Sequence, residues 1–274
     1  MAIGKKKNAI IILLLFLAFY KSYSQTEVKN IKKVSDKFYL MYIDSSDIKK
    51  HLSKSAIIEF DKFIVISELP LAYSNTNLSD HIIGGENAIA TLKDYFPNKP
   101  IKYIISSHWH PHSISSIEPF LSKGITLITT NTNFDVLQSF LDSTIANKYK
   151  SYIKIMNEDS LIIKDESNQL KLFRVNKSEY SYLPTEEFIY TYVPSIEFLQ
   201  TSCMYQRFAN SKIRGKELIS GRVEDLNSFI TKHHLKVSKL LCTENFFDGK
   251  DGLISNDSLK SIMNSGIGML QLDR

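Results

Sequence analysis

The chain has 274 residues (31.4 kDa), with 34 Lys and Arg against 29 Asp and Glu, a formal charge of +5 and a pI near 8.9. Four of the lysines (Lys5, Lys6, Lys7 and Lys21) fall in the first 24 residues, which hold no acid, so the remainder carries only +1. That excludes a strongly cationic body and argues against a nucleic-acid partner, and a content of 43% hydrophobic and 11% aromatic residues excludes disorder as the default state.

The N-terminus has the layout of an export signal. Lys5 to Lys7 form a positive start, Ala9 to Tyr20 an apolar run, and Ser22-Tyr23-Ser24 places small residues where a signal peptidase reads them. An apolar run of about 12 residues is shorter than the roughly 20 a helix needs to span a bilayer, so cleavage before Gln25 is expected, with no stable membrane span afterwards. No Cys ends the leader, which argues against a lipoprotein. The expectation is a signal peptide over 1–24 and one domain over 25–274, exported to the periplasm or the exterior. The Lys-, Asn- and Ile-rich composition is of a bacterial kind.

Short β-rich runs come first: Phe38 to Ile43, then Ala56 to Phe60 and Phe63 to Leu69 as a hairpin turning at Asp61-Lys62. Ala88, Ile89, Leu92, Tyr95 and Phe96 keep helical spacing until Pro97. Ile101 to Ser106 reads as a buried strand, and after Ile114, Ile117 and Phe120 a second strand follows at Ile125 to Thr130. One helix is expected through Phe134, Leu137, Leu141 and Ile145, then the strand-like runs SLIIK, LKLFRV, FIYTYV and IEFLQ. A helix through Val223, Leu226, Phe229 and Ile230, a strand from Val237 to Cys242 and a closing helix around Leu259 and Ile262 complete the order. Strands interleaved with amphipathic helices predict an α/β sandwich, with sheets covered by helices.

His108, His110 and His112 lie in five residues directly after the strand IKYIIS. If the chain stays extended there, alternate side chains share a side and the three imidazoles converge. Three neutral imidazoles can hold zinc or a similar ion and leave a position for water, the layout of a catalytic metal site. A polar loop with solvated histidines is the plain alternative.

At these residues the sequence resembles the metallo-β-lactamase superfamily, whose marker is a strand, then H-x-H-x-D-H, a helix and a further strand. The segment from Pro100 to Thr130 aligns without a gap, and the resemblance covers most of residues 35 to 245. It implies an α/β fold, the four-layer αβ/βα sandwich with two mixed sheets. It also implies where this chain departs from the pattern. His108 and His110 match the first two histidines, whereas His112 stands where the family has Asp and Ser113 where it has the third His. The middle His, due near Val175 to Ser181, is absent; Ser202 or Cys203 falls at the later acidic position, and Glu244 where the last His belongs. His233 and His234 precede the final strand and cannot replace it; they read as cations at a helix C-terminus. Glu68 lies near a structural Asp of the family, and a surface carboxylate at a strand end explains it equally well.

A two-metal hydrolytic site is therefore not expected. Two readings remain: a non-catalytic relative with most metal ligands lost, which binds a small molecule or a protein, and a mononuclear metal-dependent hydrolase. The second would use His108, His110 and His112, completed by Cys203 or Glu244, with one zinc or other divalent metal; the first needs none. Loss at several ligand positions together weighs towards the first. A third possibility is a disulfide between Cys203 and Cys242, the two cysteines of the chain.

Overall fold

A computed structural model describes residues 29–43, 54–69, 78–114, 116–141, 143–204, 215–241 and 253–255. Among these residues two sheets form. The first runs, in spatial order, β1 (Lys29–Ser35), β2 (Phe38–Ile43), β3 (Lys54–Glu59), β4 (Ile64–Ser67), β5 (Ile101–Ile105), β6 (Thr126–Thr129) and β7 (Ile153–Ile155). Its first four strands are antiparallel and β4 to β7 parallel, so it is mixed. The second sheet contains β8 (Ser160–Lys164), β9 (Gln169–Asn176), β10 (Glu187–Val193), β11 (Phe198–Gln200), β12 (Lys239–Leu241) and β13 (Ile254–Ser255) in that spatial order. It is antiparallel except where β11 pairs parallel with β12.

Strand alternation sends each sheet's side chains to two cores. In β2, Phe38 and Leu40 face the space between the sheets, while Tyr39 and Met41 face the outer helices. In β10, Ile189 and Val193 point inward and Phe188, Tyr190 and Tyr192 outward. The inner core joins Ala56, Ile58, Val65, Ile105 and Ile128 of the first sheet to Leu170, Leu172, Phe198 and Leu241 of the second. Phe38 and Phe198 meet across it with ring centroids 4.4 Å apart, a contact that adds about 1 kcal/mol to the burial of the rings themselves. Outside the first sheet lie α1 (Leu78–Tyr95), α2 (Pro111–Ile114), α3 (Glu118–Ser122), α4 (Asn131–Phe140) and α5 (Ser143–Lys148); outside the second lies α6 (Gly215–Lys232). The expected helix-covered pair of mixed sheets is what forms.

Local differences have local causes. The helix expected through Phe134 to Ile145 is broken because Leu141 is extended (φ −83°, ψ 130°), which separates α4 from α5. The strand expected at Ile196 to Gln200 is shortened by a 3-10 turn at Pro194–Ile196 and by left-handed Glu197 (φ 50°). β1, a lysine-rich edge strand, carries no apolar alternation to announce it. The leader and the closing helix around Leu259 lie outside the described residues, as do Cys242 and Glu244. Among the described residues no helix is long and apolar enough to cross a membrane.

Gly85 allows α1 to lie close to the segment ahead of α3. A Cβ there would stand 2.7 Å from the Ser116 carbonyl oxygen and 2.8 Å from Pro119 Cγ. Gly85→Ala gains about 1 kcal/mol of helix propensity, but overpacking against backbone costs roughly 1–3 kcal/mol. We expect a net loss of stability in urea unfolding, and a stabilised variant would show that the approach is looser than described.

Candidate metal centre

Two strand ends, one from each sheet, build the centre. β5 ends at Ile105, the chain passes through Ser106 and Ser107, bends at His108-Trp109-His110, and enters α2 at Pro111. The expected extended alternation through the three histidines is therefore replaced by this bend, and the backbone of His112 is helical; its side chain lies outside the described residues. From the second sheet, β11 leads through Thr201 into a 3-10 turn, Ser202–Met204, which carries Cys203. Ser202 is held left-handed (φ 44°), and this re-aims the chain as it leaves the strand. Arg222 of α6 clamps the turn, donating from Nη1 to the Cys203 carbonyl (3.0 Å) and from Nε to that of Tyr182 (3.2 Å).

A ring nitrogen of His108, one of His110 and the Cys203 sulfur all lie within 4.8 Å of one another. His108 Nε2 and His110 Nδ1 are 3.0 Å apart. His108 and Cys203 are buried and His110 is half-buried. The His108 ring stacks on Phe188 (centroids 5.1 Å, 29°), and Trp109 stands edge-on to His110 (4.9 Å, 89°).

Beneath the histidines sits a buried polar layer. Ser107 Oγ is 2.7 Å from His108 Nδ1, and Ser202 Oγ lies 3.5 Å from the same nitrogen. Glu68, left-handed at φ 66° just after β4, is fully buried and accepts from the Ser107 backbone N–H (2.9 Å). Burial pushes its carboxyl up to about 6, while the hydroxyls of Ser107 and Ser113 and the Ser107 N–H pull the other way. It is no surface carboxylate. With the Ser107 hydroxyl turned towards Glu68, its oxygen accepts Nδ1–H of His108 and leaves the Nε2 lone pair facing His110. Ser113 also contacts Ser106 (Oγ to Oγ, 2.9 Å), so it lies in the floor of the centre.

Two imidazole nitrogens and a thiol this close could hold a divalent ion. Zinc bonds imidazole nitrogen at about 2.0–2.1 Å and thiolate at about 2.3 Å, and a tetrahedral angle then separates two ring nitrogens by roughly 3.3 Å. The observed 3.0 Å between Nε2 and Nδ1 is close to that spacing.

No family model and no curated protein matches the sequence. Solved structures do match. A metallo-β-lactamase from Pontibacter korlensis superposes with a TM-score of 0.60 at 12% identity, over 87% of this chain and 99% of its own. One from Hirschia baltica gives 0.56 at 14% identity, over 87% and 97%. The chain has the metallo-β-lactamase fold. The likeness in sequence is too low to carry chemistry with it, so the site has to be read from its own residues.

Within that fold, His108 and His110 stand together as the sequence implies, and Cys203, a secondary candidate on sequence, joins them. No histidine follows β9 in the stretch near Val175 to Ser181. His233 is remote from this role: it packs on Phe173 and Phe229 (ring centroids 4.7 Å each). Burial, then the charges of Lys232 and Lys171, lower its pKa. Ser107 and Phe188 carry no motif in the sequence; only a hydroxyl directly before the first histidine hints at Ser107.

The Glu68 carboxyl titrates near 6 when folded against an ordinary 4.5. Its contribution to stability is complete below 4.5 and is lost as pH rises through 6, on the order of 2 kcal/mol. Glu68→Gln should remove that fall between pH 4.5 and 7 in urea titrations. An unchanged pH dependence would contradict the burial of this acid.

Proposed function

We propose that the chain is a single-metal hydrolase of the metallo-β-lactamase fold, exported as one domain (25–274) after loss of residues 1–24. One divalent ion, zinc by donor type, would be held by His108, His110 and Cys203. The observation that carries this reading is the convergence of two imidazole nitrogens and a thiol within 4.8 Å. When bound, such an ion supplies Lewis acidity: it acidifies a water and polarises a carbonyl or phosphoryl oxygen.

The remaining work falls to the chain. Ser107 Oγ, 2.7 Å from His108 Nδ1, would accept a hydrogen bond from the proton held there and so leave Nε2 as the donor atom. Arg222 fixes the turn that presents Cys203, whose thiol must be deprotonated to bind. Burial of His108 and Cys203 keeps water away from two of the three donors, while half-buried His110 beside Trp109 offers the exposed side. Glu68 lies under Ser107 and acts as a positioning group, with no path to a substrate. A β-lactam is the first substrate class to try, because the structural neighbours are named for it; a phosphodiester is the second.

A non-catalytic reading has one specific observation in its favour. Ser113 and Ser202 stand where the resembled family keeps metal ligands, and among the described residues no carboxylate joins the cluster. On that reading the centre binds a small molecule or a protein, and no nucleic acid.

Metal analysis of protein purified without a His tag separates the possibilities. The proposal expects close to one equivalent of zinc, iron or manganese, lost in His110→Ala and in Cys203→Ser, and a rise in Tm when metal is added. Less than about a tenth of an equivalent with no rise in Tm rejects metal binding. Stoichiometric metal without turnover of nitrocefin or bis(4-nitrophenyl) phosphate leaves the non-catalytic reading. Export is tested apart from this: intact mass should show a mature chain starting at Gln25, and a cytosolic chain retaining Met1 would exclude it.

A further inference from the structure

Between the sheets, on the side where β7 and β8 are the edge strands, a cavity of about 240 Å³ opens to the surface. None of its lining residues belongs to the histidine cluster. Half-buried Phe63 and Tyr103 and buried Ile163 form its apolar wall, and the exposed lysines Lys102, Lys154 and Lys164 surround it. The lining contains no acid. Among the described residues none of these three ammonium groups stands within 4.0 Å of a carboxylate. Lys102 Nζ is instead held over two rings of the wall, 4.6 Å from the centroid of Phe63 and 5.2 Å from that of Tyr103.

We propose that this cavity binds a small amphipathic carboxylate, its apolar body against Phe63, Tyr103 and Ile163 and its charge among Lys102, Lys154 and Lys164. Three cations without a carboxylate around one apolar recess form the complement of an anion with an apolar tail. An anion lacking the tail leaves the aromatic wall wet, and a neutral tail leaves the lysines unmatched. The volume sets the size. It lies below the roughly 300–1,000 Å³ of pockets for drug-sized ligands, which suits a short chain or a single ring. A membrane surface or a polyanion would need a broad basic face, and the lysines here surround a recess. Because the cavity shares no residue with the metal cluster, the proposal stands independently of the hydrolase reading.

Octanoate is the probe, titrated by calorimetry into the full mature chain, with acetate and 1-octanol as the charge-only and tail-only controls. Saturable octanoate binding is expected, with acetate and octanol at least tenfold weaker. Lys102→Gln, and separately the double variant Lys154→Gln/Lys164→Gln, should each weaken octanoate at least fivefold while keeping the wild-type circular dichroism and Tm. These lysines are exposed, so the variants test binding rather than folding. His110→Ala should bind octanoate as the wild type does. Absence of saturable binding, equal affinity in all the lysine variants, or octanol binding as tightly as octanoate overturns the proposal. So does loss of binding in His110→Ala, which would move the ligand to the metal cluster, and so does binding to phosphatidylglycerol vesicles without binding of free octanoate.

Discussion

The packing of the two sheets' inner faces is the constraint on which the candidate centre depends. His108 follows a strand of the first sheet and Cys203 a strand of the second, 95 positions apart, so only the face-to-face stack brings them together. Apolar contact alone fixes the spacing of two sheets better than their sliding. Directional bonds between them supply the register: Ser67 Oγ meets Thr191 Oγ1 at 3.0 Å, Gln200 Nε2 donates to the Ser67 carbonyl at 3.3 Å, and the Ile189 N–H donates to the Ser107 carbonyl at 2.9 Å. The last of these holds the residue next to His108 against β10, whose Phe188 carries the ring stacked on that histidine.

The polar layer below the histidines is costly by the ordinary rules of interiors. Glu68, Ser106, Ser107, Ser113, Gln200 and Ser202 are all buried, where an apolar plug would be easier to stabilise. Glu68 and Ser202 are also left-handed, each at the end of a strand that enters the centre. Such a residue gives up on the order of 1–2 kcal/mol, so two of them beside one cluster of donors mark a place where geometry is held against local preference. Asn133 of α4 adds a third element to the layer by donating to the Ser107 carbonyl (3.2 Å), so a helix as well as both sheets braces the loop before His108.

The histidine cluster and the lysine-ringed recess place charge in opposite ways. At the histidine cluster the polar groups are inside and the buried Glu68 carboxylate lies under Ser107. At the β7 and β8 edge the charges are outside and the wall is apolar. Lysines on edge strands also hinder pairing with other chains, and Lys154 and Lys164 sit on two such strands. Their arrangement around a recess, with a third lysine stacked on its aromatic wall, goes beyond what that protection requires.

Much of the fold was legible because its causes are local. Alternation in FYLMYI and the hairpin turn at Asp61-Lys62 both rest on interactions within a few residues, and β2, β3 and β4 form where these signals place them. The pairing of His108 with His110 is local in the same sense. The break at Leu141 and the turn at Ser202 were not legible, because each follows from how an element meets its neighbours. Cys203 shows the difference most clearly. By itself the sequence determined three histidines in five residues after an apolar strand and a cysteine after another. That the buried cysteine also stands within reach of the two histidines was decided by the stacking of the two sheets, since proximity in space and not distance along the chain brings such groups together.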